Sequence, residues 1–166
     1  MFKVIIPIGS IFLVLVIVLF STTNFNQLIV VSQNNITKKP INLKPNKYKD
    51  RYCNMTISDI NYSAQVVLLN NDTLFFDDIG CLVLWLKNQK QKKDFILWVW
   101  AKDSNRYINA REAWYSQTEK TPMFYGFGAY EGKKKHYIDF DTVYHNMLND
   151  KTLKNHTFKE QLLGNN

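Results

Sequence analysis

Hydrophobic positions fall into three patterns along the chain, and each predicts a different element. From Val4 to Phe20 the chain is apolar and free of charge, with Lys3 just before it. Seventeen residues make about 25 Å of helix, close to the thickness of a thin bilayer. The run ends in Ser21-Thr22-Thr23 with no small-x-small cleavage pattern. It therefore reads as an uncleaved signal anchor, a transmembrane helix with its amino terminus in the cytoplasm. Residues 24–50 are mostly polar and read as a disordered tether.

From residue 51 the apolar positions shorten into strands and one helix. Ala64–Leu69 and Thr73–Phe76 flank the turn residues Asn70-Asn71-Asp72 and predict a hairpin. Asp77 or Asp78 is placed to cap a helix whose Ile79, Leu82, Val83 and Leu86 recur at helical spacing. Phe95–Trp100 is continuously apolar and predicts an interior strand. Farther on, Asn109 and Glu112 fit a capping pattern for a short helix through Ala113-Trp114-Tyr115. A second hairpin is expected within Phe124–Ile138, then a helix capped by Asp139 or Asp141, then a short strand at His156-Thr157-Phe158. Phe76-Asp77 corresponds in outline to Ile138-Asp139, and Met55 loosely to Met123. The expected organisation is α+β: a transmembrane helix over 1–23, a tether over 24–50, a first ββαβ-type unit over 51–102 and a second α+β unit over 103–166.

Composition changes this picture little. The chain has 166 residues and is 46% hydrophobic, enough for a core. The net charge is +7, with basic clusters at Lys87–Lys93 and Lys133–Lys135. No nucleic-acid motif accompanies them, so no nucleic-acid partner is expected. Asn-x-Ser/Thr sequons at Asn35, Asn54, Asn61, Asn71 and Asn155 follow from the abundance of Asn.

Candidate chemistry centres on Cys53-Asn54-Met55. In an extended segment residues two apart share a face, so a thiolate and a thioether would lie side by side. Such soft donors favour Cu(I). Packing is a second reading, and a Cys53–Cys81 disulfide formed after export is a third. Asp77-Asp78 reads first as a helix cap and second as a carboxylate pair for acid–base work. His136 is a further candidate copper ligand, set against an exposed loop histidine beside three lysines. His136, His145 and His156 lack zinc-site spacing, and Gly126-x-Gly128 lacks the rest of a dinucleotide fingerprint.

The ordered set Cys53-Asn54-Met55, Ala64-Gln65, Phe76-Asp77-Asp78-Ile79-Gly80-Cys81 and Thr121-Pro122-Met123-x-Tyr125-Gly126-Phe127-Gly128-Ala129-Tyr130 resembles the NosL family of nitrous-oxide-reductase accessory proteins. The resemblance covers about residues 51–142. It implies two ββαβ-type units packed together and an extracytoplasmic, periplasmic Cu(I)-binding chaperone rather than an enzyme. It implies Cys53 and Met55 as metal ligands, with Met123 as a further one, and nitrous oxide reductase or its assembly machinery as partner. Many family members carry a lipid on a Cys at the end of the signal. No Cys precedes Cys53 here, so membrane attachment would fall to the apolar helix. The alternative from another class is a metal-free anchored scaffold module of an envelope complex, held by a Cys53–Cys81 disulfide.

Overall fold

The computed structural model describes residues 11–18 and 28–164. Among these residues no helix is long and apolar enough to cross a membrane. That overturns the expected transmembrane helix. The described helical stretch, residues 11–18 (α1), spans about 12 Å at 1.5 Å per residue, against a hydrocarbon core of about 30 Å. The rest of the Val4–Phe20 run lies outside the described residues.

The architecture is α+β. Five strands form an antiparallel sheet in the order β1-β3-β2-β4-β5: β1 Val31–Ser32, β2 Ala64–Val67, β3 Thr73–Phe76, β4 Ile96–Ala101 and β5 Arg106–Asn109. The β2–β3 hairpin pairs as its sequence predicts, Ala64 opposite Phe76 and Val67 opposite Thr73. β4 pairs with β2 on one side and β5 on the other, so it is interior. Strand alternation sorts side chains between the two faces of the sheet. Ala64, Val66, Leu74, Phe76, Leu97 and Val99 pack in the main core with Ile79, Leu82, Val83 and Leu86 of helix α2, Ile79–Leu86. Phe140, Val143 and Met147 of helix α3, Phe140–Leu148, join them. Burying one such side chain contributes about 1.5–3 kcal/mol.

The opposite face carries Gln65, Phe75, Trp98, Trp100 and Tyr107, and it is covered by the segment expected to be a tether. Leu43 and Ile57 are buried against Phe75 and Tyr107, with Ile41 and Tyr48 packed alongside. Gln65 fixes this layer: its Oε1 accepts from Ile41 N at 2.9 Å and its Nε2 donates to Ile41 O at 2.7 Å. Trp98 Nε1 donates to Lys38 O at 3.1 Å. Scattered Ile41, Leu43 and Tyr48 carry no regular period, which is why the layer reads as spacer from sequence.

The second half departs from expectation in three places. Trp114–Ser116 is a strand (β6), not a helix, and pairs with β7, Gly128–Tyr130. Tyr115 is fully buried there, and its hydroxyl donates to Ala110 O at 2.7 Å, so tertiary burial overrides the local capping pattern. The hairpin expected within Phe124–Ile138 is therefore replaced by pairing across to β6, with Ile138 bridging Tyr115. His156-Thr157-Phe158 begins helix α4, His156–Leu163, because Asn155 caps it by accepting from Phe158 N at 3.1 Å. β2-β3-α2-β4 forms a ββαβ unit. The second half ends in helices instead of a fourth strand, and β5 extends the first unit's sheet.

Candidate metal centre

Three short segments build the site. Residues 51–53 form a turn, and Asn54 has φ 63°, in the left-handed region that Asn tolerates. The extended geometry expected for Cys53-Asn54-Met55 is therefore absent. Met55 is 47% exposed, and its carbonyl accepts from Asp50 N at 2.8 Å. Asp50, fully buried, organises the turn: its Oδ1 accepts from Tyr52 N at 2.6 Å and Cys53 N at 2.8 Å. Its Oδ2 accepts from Asp77 N at 2.8 Å, tying the turn to the end of β3.

Asp77 precedes the α2 cap and Cys81 sits four residues later, in the first turn of the helix. Asp78 is the N-cap, with Oδ1 accepting from Gly80 N at 2.7 Å, as the sequence predicts. This brings Cys81 beside Cys53. Donor atoms of Asp50, Cys53, Asp77 and Cys81 all lie within 4.8 Å of one another, a group able to hold a metal ion. The spacing suits a shared ion, because two sulfurs each 2.3 Å from a tetrahedral centre stand about 3.8 Å apart. Both cysteines are free thiols, Cys53 partly exposed and Cys81 buried.

Burial dominates the electrostatics. It pushes the Cys53 thiol up to about 11 from 9.0, and the Asp50 and Asp77 carboxyls add to the rise. Cys81 is pushed up much farther by the same cause. Asp77 is raised from 3.8 to about 8, first by desolvation and then by its hydrogen bond to Asp50. The Cys53 thiol reaches Asp77 Oδ1 at 3.8 Å. Asp78 is raised to about 6 by burial, and its Oδ2 is buried without a hydrogen-bond partner. At neutral pH the site thus holds its protons on both sulfurs and on Asp77.

Of the residues expected from sequence, Cys53 lies in the cluster. Met123 is partly buried and packs, like Cys53, against the main core. Met55 points to solvent. His136 is exposed and lies with Lys135, Ser116 and Thr118 at a separate cavity of about 680 Å³. Asp50, Asp77 and Cys81 are the donors that sequence reasoning passed over. The signal for two of them was present, since Asp77 and Cys81 flank the predicted cap of α2 within five residues.

Tyr125 packs on α2 at Gly80, and a Cβ there would collide with its ring. Gly80→Ala is expected to cost about 1–3 kcal/mol by overpacking, lowering Tm by roughly 3–10 °C. An unchanged melting curve would show that the ring moves aside freely.

No protein-family model, curated protein or solved structure matches the chain.

Proposed function

We propose that the chain is a Cu(I) carrier that holds the ion between Cys53 and Cys81 and passes it to a partner protein. The observation that carries this reading is the pairing of two thiols at a site where one of the two carboxylates, Asp50, is already in use. A carboxylate has about four acceptor positions. Those of Asp50 receive Tyr52 N, Cys53 N, Asp77 N and the Asp77 carboxyl. A four-coordinate zinc centre built from all four side chains would take Asp50 away from these bonds. A low-coordinate soft ion needs only the sulfurs. Half-exposed Cys53 gives an acceptor a route for ligand exchange, so transfer requires no bond-breaking catalysis. Met123, packed against the same core, is the candidate for a third soft donor. The likeness of the motifs to the NosL family supports copper as the cargo and nitrous oxide reductase assembly, outside the cytoplasm, as the destination.

Anaerobic titration of the reduced chain with Cu(I) against a competing chelator tests this. One ion is expected to bind per chain, and Cys53→Ala is expected to abolish competition; undiminished binding by that variant would sink the reading. The closeness of the two sulfurs also favours a second reading, in which they close as a disulfide in a metal-free scaffold module. Quantitative alkylation of both thiols in freshly isolated protein excludes that state, and a two-proton mass deficit with no alkylation establishes it.

A further inference from the structure

We infer that the outward surface of the layer formed by residues 28–57 is a docking face for an anionic phospholipid bilayer. The layer's inner side is spent on the sheet, where Ile41, Leu43 and Tyr48 meet Phe75 and Trp98. Lys38, Lys39, Lys44, Lys47 and Arg51 of the layer are exposed and Lys49 partly so, and Asp50 is the only carboxylate between residues 28 and 58. Asp50 is buried in the metal site. Among the described residues none of the six cations takes part in an ion pair. Asp59 and Asp72 stand only at the margins. The strip is continuous: Ile29 N donates to Lys47 O at 2.9 Å and Lys49 N to Ile29 O at 2.9 Å, so the 28–32 and 47–51 stretches run side by side.

The occupant follows from what lies among the cations. Ile36 is 77% exposed, Ile29 40% and Val31 37%. Aliphatic side chains among lysines match an interface with acyl chains below and anionic headgroups above. A nucleic-acid face would instead offer a series of stacking aromatics; here Tyr48 is turned inward onto Phe75, ring centroids 4.6 Å apart, which leaves Tyr52, 44% exposed, as the one aromatic the layer presents. The apolar helix α1 supplies a second lipid-seeking element, with Ile11, Phe12, Leu13 and Val14 each 59–69% exposed. Two such signals, one apolar and one polybasic, are what stable peripheral attachment requires. The Asp50–Cys53 turn lies at the end of this strip, so docking would hold the cluster close to the bilayer surface.

The face is tested on the full, metal-free chain, independently of copper. Sedimentation is measured with vesicles of phosphatidylcholine alone and of phosphatidylcholine with phosphatidylserine at about 7:3. The expected result is preferential binding to the anionic vesicles that weakens with added salt. Lys38→Glu/Lys39→Glu/Lys44→Glu/Lys47→Glu is expected to lower that partition by about 30-fold or more, and the corresponding Lys87, Lys90, Lys93 and Lys135→Glu variant by no more than about threefold. The Lys→Gln version of the first set preserves the long side chains and is expected to give the same order with a smaller loss, which separates the effect from misfolding. Equal losses in the two sets, or no preference for phosphatidylserine, would overturn the assignment. So would tighter binding to a mixed-sequence DNA duplex than to anionic vesicles.

Discussion

Cys81→Ala is expected to weaken Cu(I) binding by about 100-fold or more, matching Cys53→Ala, while Met55→Ala changes it by less than about threefold. The reasoning is geometric. Cys81 is fully buried and has its sulfur within 4.8 Å of the other cluster donors. Met55 is 47% exposed and follows a left-handed Asn54. Ala is the right replacement because Ser would bury an extra hydroxyl with no assured partner. Met123→Ala is expected to fall between the two, since Met123 packs, like Cys53, against the main core and offers a soft but neutral thioether. The measurement is competition against a Cu(I) chelator under reducing, anaerobic conditions, with circular dichroism to verify folding. Undiminished affinity in Cys81→Ala, with a large loss in Met55→Ala, would return the site to the Cys-x-Met pair. It would mean that the 50–55 turn extends on loading.

That contrast marks where sequence reasoning succeeded and where it could not. α2 was legible because Asp78, Ile79, Leu82, Val83 and Leu86 express one helical period and one cap. The β2–β3 hairpin was legible because Asn70-Asn71-Asp72 can only be a turn between two apolar runs. The site was half legible. Cys53 stands out as a soft donor, but its partner is chosen by the contact between the 50–53 turn and α2, which no local pattern encodes. Asp50 is the clearest case. In sequence it is one acid in a lysine-rich stretch; in the fold its carboxylate joins Tyr52, Cys53 and Asp77 through three backbone N–H groups. The residues 28–50 layer was misread for the same reason. Its ties to the sheet run through Gln65 and Trp98 side chains that contact backbone atoms, so the sequence of the layer itself carries almost no trace of them.

Loading the site should be strongly pH-dependent, and in the opposite sense to the stability of the empty protein. Cys53 titrates near 11 and Cys81 higher, so both sulfurs keep their protons between about pH 6 and 9. Binding an ion between two thiolates displaces both protons, so affinity is expected to rise about 100-fold per pH unit across that range. Below about pH 8 Asp77, bonded to Asp50, is expected to keep its own proton. A slope approaching about 1000-fold per unit below pH 8 would instead recruit Asp77 as a ligand, and a flat profile would refute protonated thiols. For the empty protein the sign reverses. Asp77 binds its proton more tightly when folded, with its value raised from 3.8 to about 8. The folded state therefore holds more protons than the unfolded chain within that window. The Asp77 contribution to stability is complete below about pH 4 and declines as pH rises toward 8. Asp78, raised to about 6, adds to the early part of the decline, and the thiols contribute only above 9.0. Urea midpoints of the reduced, metal-free chain should fall from pH 4.5 to 8.5, and Asp77→Asn should flatten the curve. The protons that stabilise the empty site are thus of the same origin as those that oppose its loading: both come from burying acids and thiols where only a cation relieves them.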